Sequence, residues 1–505
     1  MKDYKIWALG VAVALLLAGA GNHALWGQAI TGDILGTVRD ATGAVIPHTQ
    51  VVLTQTATGV KFTAATDAGG NYLFAQLKPA SYSITASKGG FESTTVSGVD
   101  LLLGQRPRVD IVLRVGQITQ TVTVNAGGVQ LLETQTSSAG MVIQQRPIVQ
   151  LPLNGRNFMQ LAVLVPTVSP ILSGNSPATS WTGLGSGGAS TSVAGMRESN
   201  VSYLLDGIET RNARFGSEDL HPSIDALQEF KMQTDAFSAE FGRSSAIVNM
   251  DLKSGTNQFH GDAFEFVRNS ALDANDFFFN SHNLPIPHYA QNDFGATFGG
   301  PVRHDKTFFF LSYEGFRSRT GETGQALVPS AAQWSGDLAD NSAGTGIFPT
   351  SSAFCQANPG SSRCVNVINP ATGQAFPGNV IPSGMLDPRA QKWHAFTPTP
   401  NIPSAVNSAT TPLFNYAASP TIRNDFNDAN IRVDETLSSK DQLHGSYSFH
   451  DVPHIEPSVM PLAGRSYPMR SQVASITESH IFSPTIVNEA RFGYNRGKTF
   501  LVSQG

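Results

Sequence analysis

The chain is poor in cysteine, poor in charge, and has only one extended apolar run in its 505 residues. Cys355 and Cys364 are its only cysteines, and two cysteines alone make no zinc site. Charged side chains are 14% of the chain, against about 25% in an average soluble protein. The net charge of −5 offers no attraction to a phosphate backbone, so nucleic acid is not an expected partner. With 40% hydrophobic residues the composition is wrong for a disordered chain. The single long apolar run excludes a bundle of membrane helices, each of which needs about 20 such residues. What is abundant is glycine (48), proline (29) and phenylalanine (30), the make-up of a large, mainly β protein.

The apolar run, Ile6 to Ala20, follows Lys2 and Lys5 and precedes small residues ending at Ala29. This is the layout of a signal peptide, residues 1–29, cleaved after Ala29. Export places the chain in an oxidising compartment, where Cys355 and Cys364 are candidates for a disulfide bracing one loop.

Residues 30–115 show short alternating strands and turns. Ile34, Gly36 and Val38 alternate with polar residues, Asp67-Ala68-Gly69-Gly70-Asn71 is a turn, and Tyr72, Phe74, Tyr82 and Ile84 continue the period of two. The rhythm predicts a β-sandwich. Gly36 to Pro47, Thr66 to Tyr72, Tyr82-Ser83-Ile84 and Gly90-Phe91 resemble the carboxypeptidase regulatory-like domain. That resemblance implies a prealbumin-like, carbohydrate-binding-like sandwich and no catalytic residues.

Residues 116–129 form a linker. Within it Thr121, Val122, Thr123 and Val124 are β-prone and resemble the TonB box of outer-membrane receptors, a peptide captured by strand addition. The same residues also read as a last sandwich strand.

In residues 130–257, Leu153-Asn154-Gly155-Arg156-Asn157-Phe158 reads as a turn feeding a short helix. Leu205-Asp206-Gly207 reads as a strand ending in a turn, Ile224 to Phe230 as a short helix capped by Ser223, and Ala246 to Leu252 as a strand. In this order the segments resemble the α+β plug domain of TonB-dependent receptors of the Oar-like group, with Leu153, Asn154, Gly155, Arg156, Asn157, Phe158, Asp206 and Gly207 as its signature.

From residue 258 onward the pattern is that of amphipathic strands. Phe264 and Phe266 share a face, as do Phe309, Leu311 and Tyr313; Ile431 and Val433 alternate with Arg432 and Asp434; Tyr447 and Phe449 alternate with Ser448 and His450; and Phe492 and Tyr494 alternate with Arg491 and Asn495. Apolar outside and polar inside is the pattern of a transmembrane β-barrel, the only sheet structure that can span lipid. Asn292 to Val302 and Lys306 to Phe310 resemble the Oar-like barrel again. Residues 320–420 form a long Pro/Ser/Asn/Gly-rich loop expected on the cell exterior. The remaining length suits roughly six to eight strands of about 9–11 residues. The large receptors close about 22. The expectation is therefore a partial barrel, from a truncated product or a fragment of a longer chain.

No catalytic constellation is present, and no cofactor or metal is expected. Gly183 to Gly188 matches G-x-G-x-x-G by letters but lacks the flanking strand and helix of a dinucleotide site. His450 and His454, with Glu456, are separated by Pro453 and cannot form a helical metal face; Asp206 and Glu209 read as turn residues, not an acid pair. The sequence thus points to a non-enzymatic TonB-dependent receptor or transporter of the Gram-negative outer membrane. The resemblance implies a periplasmic TonB-type energy-coupling protein as partner, outer-membrane lipid around it, and a siderophore, oligosaccharide or polypeptide as ligand, with plug and sandwich on the periplasmic side. The rival reading is an exported carbohydrate-binding or adhesion protein working through its sandwich, separable by heat-modifiable migration and detergent dependence.

Overall fold

The computed structural model describes residues 31–116, 121–125, 139–170, 191–197, 200–212, 218–235, 244–275, 277, 280, 286–402, 414–460, 463–483, 486–500 and 502–504. The expected signal peptide and the glycine-rich 183–188 segment lie outside these residues.

The first unit is a sandwich of β1 (Gly32–Asp40), β2 (Gln50–Gln55), β3 (Lys61–Ala65), β4 (Asn71–Leu77), β5 (Ala80–Ser87), β6 (Ser93–Leu101), β7 (Ile111–Leu113) and β8 (Thr121–Asn125). One sheet has the order β4-β1-β7 and the other β3-β2-β5-β6-β8. Alternate residues such as Val51, Leu53, Tyr82, Ile84 and Ala86 are buried between them, as a period of two demands.

The middle unit is built on β9 (Ala139–Gln144), a short pair β10 (Val168–Pro170) and β11 (Thr191–Val193), then β12 (Val201–Leu205), β13 (Ile208–Glu209), β14 (Leu227–Asp235) and β15 (Ala246–Leu252). Its main sheet runs β13-β12-β15-β14-β9 and is mixed, β12 lying parallel to β15. A 3-10 helix, Phe158–Leu164, packs Phe158, Met159, Leu161 and Ala162 onto it. The helix expected over 224–230 is not formed: a turn at 224–226 leads into β14, which is paired on both edges. Two complete ladders outweigh the weak local helix propensity of a seven-residue segment.

The last unit is one antiparallel sheet of β16 (His260–Asn269), β17 (Tyr289–Arg303), β18 (Thr307–Gly321), β21 (Thr421–Thr436), β22 (Asp441–Glu456), β23 (Gly464–Ser483) and β24 (Ile486–Thr499); β19 (Gly324–Ala326) and β20 (Tyr416–Ala418) form a separate hairpin, and β25 (Val502–Gln504) pairs with β23. Strands up to 20 residues long, each of the seven long ones paired to the next long strand in sequence, are barrel strands in length and order. Among the described residues no ladder joins the first strand to the last, so the sheet is an open, partial barrel.

The two faces of this sheet differ. Phe298, Leu311, Ile431, Tyr447, Ala474 and Tyr494 lie in one register row, and Phe309, Val433, Gly445, Ile476 and Phe492 in another, all facing away from the middle unit. The opposite face carries Ser312, Glu314, Asp428, Asn430, Arg432, Asp434, His444, Ser448, His450 and Ser475, all buried against the middle unit or sandwich. On β16 the polarity is reversed. Phe264 and Phe266 turn inward, and Glu265 and Val267 are outside. The inward pair has a cation to cover, described below.

Residues 322–420 are not structureless. Besides β19–β20 they carry short helices at Ala331–Trp334, Ala353–Ala357 and Pro388–His394, with Val328, Phe376, Asn379 and Asn415 buried among them.

Candidate functional site

The middle unit meets the inner barrel face through two arginines, one contributed by each side. The first arises from the Leu153 to Phe158 motif. Gly155 and Arg156 both have positive φ (63° and 53°), and Asn157 accepts a hydrogen bond from the Met159 amide, so a tight turn ends where the helix begins. This turn projects Arg156 at the barrel. Its guanidinium pairs with Asp225 of the middle unit and lies 3.6 Å from Asp293 on β17 and 3.5 Å from Glu314 on β18. The rings of Phe264 and Phe266 cover it at 4.2 and 5.0 Å. Phe264 in turn lies over Gly295, where a Cβ would meet the ring at 2.6 Å. Ser223, expected as a helix cap, instead donates to Glu314, and its amide donates to Asp428.

The second arginine is Arg432 of β21, fully buried. It donates to Asp251 at 2.8 Å and to the Leu252 carbonyl at 2.5 Å, and it sits 3.4 Å from Asp206 and 3.3 Å from Asp434. Asp206 and Gly207 both have positive φ and join β12 to β13 as a two-residue hairpin turn, so the turn reading holds. The Asp206 side chain does more than turn the chain: it accepts from the Leu252 amide and faces Arg432. Burial raises the pKa of Asp251, and the Arg432 charge opposes that rise. Glu209 is separate, half-exposed and paired with Arg211.

The Asp206-Gly207 hairpin also touches β24. Asn495 donates to the Glu209 carbonyl at 2.6 Å, and a Cβ at Gly493 would meet Ile208 at 2.2 Å. Glycine at 493 is therefore what admits the hairpin. Apolar contact completes the seat: Phe310 of β18 and Val473 of β23 belong to the core of the middle unit.

The other expected residues fall elsewhere. Leu153 packs on the middle core and Phe158 is buried in it, stacked on His221; Asn154 lies in the turn. Thr121, Val122, Thr123 and Val124 form β8, parallel to β6 at the edge of the sandwich. Cys355 and Cys364 are joined in a disulfide with a Cα separation of 5.7 Å, beside the buried Arg363 that lies over the rings of Phe348 and Phe354. His450 and His454 both point inward on β22, His450 against Asp428 and His454 stacked on Tyr467. The residues that sequence reading missed are Asp251, Asp293, Glu314 and the bridging role of Arg432. The available signal was the run of polar residues Asp428, Asn430, Arg432 and Asp434 at every second position of β21, which marks a face but not its partner.

These features define a class: an outer-membrane-type β sheet, apolar outside, whose polar inner face holds a separately folded unit by buried ion pairs. The family model for the outer membrane beta barrel domain matches residues 251–505, and the chain belongs to that family. The carboxypeptidase regulatory-like domain matches residues 33–114. Over 320 residues the chain is 29% identical to the TonB-dependent transporter Oar of Myxococcus xanthus, a match covering 60% of this chain and 28% of that protein. Solved structures similar in part are the outer membrane transporter YddB from Escherichia coli (12% identity, TM-score 0.44, 72% of this chain and 40% of that one) and the siderophore receptor PirA from Pseudomonas aeruginosa (10%, 0.37, 72% and 41%). The chain thus spans well under half the length of each. An outer-membrane location follows from the family.

Proposed function

We propose that this chain carries the sandwich, plug and first strands of a TonB-dependent outer-membrane transporter. The observation that carries the reading is the pair of buried arginine clusters, Arg156 with Asp225, Asp293 and Glu314, and Arg432 with Asp206 and Asp251. A plug must close the lumen and still be removable. An interface of ion pairs does both, because water can solvate each partner once the plug moves, whereas a continuous apolar core would not release.

In this reading residues 130–257 are the plug. The short turns 304–306 and 437–440 face the periplasm with the sandwich, and the long segment 322–420, braced by Cys355–Cys364, faces outward to receive ligand. The ligand class is one of those the Oar-like resemblance implies: a siderophore, an oligosaccharide or a polypeptide. The energy-coupling protein adds a strand to β8, whose outer edge is free of any ladder among the described residues.

Two adjacent substitutions test the coupling. Along an edge strand successive amides point alternately inward and outward. Of Thr123→Pro and Val124→Pro, one breaks pairing with β6 and the other blocks only the outer edge. Cross-linking to the periplasmic domain of a TonB-type protein is expected to fall in both, including the variant whose sandwich stays intact. Undiminished cross-linking in both would refute β8 as the coupling strand.

A further inference from the structure

The sandwich is not a free appendage. It meets the inner end of the barrel sheet and the plug at three places. Phe308 of β18 is buried within the sandwich core, two residues from Phe310 in the plug core, so one strand face anchors both units. The Leu103 amide donates to plug Glu229, and plug Lys231 donates to the Gly104 carbonyl at 3.1 Å. Asn257, where the plug gives way to the barrel, donates to the Thr58 carbonyl and accepts from the Asp305 amide at 2.9 Å.

The decisive contact is Lys78, at the turn between β4 and β5. Tyr82 donates to its carbonyl at 2.8 Å and fixes the turn. Its side chain is largely enclosed and pairs with Asp434, which also accepts from plug Ser254 at 2.5 Å and flanks Arg432. Three carboxylates, Asp206, Asp251 and Asp434, then share two cations, Arg432 from the barrel and Lys78 from the sandwich. When the sandwich leaves, Arg432 alone is left to balance all three carboxylates, two of them, Asp206 and Asp251, still enclosed between plug and barrel. Like charges without enough counter-charge repel most strongly where water is excluded.

We propose that the sandwich is a second lock on the plug: Lys78 is a positioning residue that completes the Arg432 cluster, and undocking the sandwich loosens the plug from below. A pull on β8, a strand of the sandwich itself, would act first on this contact. The inference builds on the plug reading but requires no transport, so its test reads thiol exposure and not uptake.

The native cysteines are paired in a disulfide, so Val473→Cys introduces a thiol on the barrel wall beneath the plug. In the full chain, maleimide labelling of this thiol is expected to rise at least tenfold with Lys78→Met or Phe308→Ala, and to return near the parent rate with Lys78→Arg. Hydrogen exchange in β2 and β5 of the same samples reports whether the sandwich stays folded. Parent-rate labelling in both weakened variants overturns the proposal. So does a rise that Lys78→Arg fails to reverse, or one that appears only when β2 and β5 lose protection, because loss of fold would then explain it.

Discussion

The sandwich and the middle unit are both β structures of similar span, yet they are held in opposite ways. The sandwich core is apolar from Ile34 and Val38 to Leu113, its buried Thr37, Thr49 and Thr66 bonded within the sandwich itself, and it takes a single residue, Phe308, from the barrel. The middle unit has an apolar core too, but it also buries Asp206 and Asp251 against the barrel and Glu229 and Lys231 against the sandwich. The difference is between a module that folds for itself and a stopper that needs its socket. Burying an ion costs several kcal/mol unless its partner is in place. The middle unit therefore reaches its lowest energy only against β17, β18 and β21, whereas the sandwich needs no such partner to satisfy its interior.

Substitutions can break this comparison from either side. The largest effect is expected for Arg432→Met, which strands Asp206, Asp251 and Asp434 without their main cation. A loss of about 3–5 kcal/mol in plug seating follows for a buried pair missing one partner. Hydrogen exchange would show it in β12 and β15, with β2 and β5 unchanged. Ile84→Ala should give the mirror image, about 2–5 kcal/mol confined to the sandwich, because it opens a cavity in a core that the plug does not share. If Ile84→Ala deprotected the plug core as strongly as the sandwich, the two units would be one cooperative body. Cys355→Ser releases a short loop and is expected to cost about 3 kcal/mol, read as faster proteolysis within 346–366 and no change in either core.

The smallest effect sharpens the boundary between the units. Burial pushes Glu229 up to about 8, with the Leu103 amide working against the rise. A carboxyl raised in the folded state favours docking fully below its ordinary value and loses that contribution as pH climbs through the raised one. Protection of the Leu103 amide, corrected for intrinsic exchange, should thus fall by about 1 kcal/mol between pH 7 and 9. Glu229→Gln should flatten that dependence. A pH-independent Leu103 in the parent chain would show that Glu229 is not buried by the sandwich.

Much of the fold was legible because period-two patterns survive into structure. Ile431 and Val433 are outside and Arg432 and Asp434 inside, as alternation requires. The exceptions have local causes. Phe264 and Phe266 turn inward because Arg156, more than a hundred residues away in sequence, needs their rings. The 224–230 segment looked helical because Ser223 resembles a cap, but two flanking strands claimed it. For the site, Arg156 and Asp206 stood out as members of motifs, yet their partners Asp293, Glu314 and Arg432 looked like ordinary lumen-facing polar residues.

The sequence by itself determined the order of units, the two-faced strands and the tight turns at Gly155-Arg156 and Asp206-Gly207, because each depends on neighbours within a few residues. Only the tertiary structure decided which inward charges meet, that Phe308 and Phe310 on one strand serve two different units, and that Lys78 reaches the Arg432 cluster from the far side. Those pairings join residues hundreds of positions apart, and electrostatic and packing energies depend on distance in space, which alternation along the chain does not record.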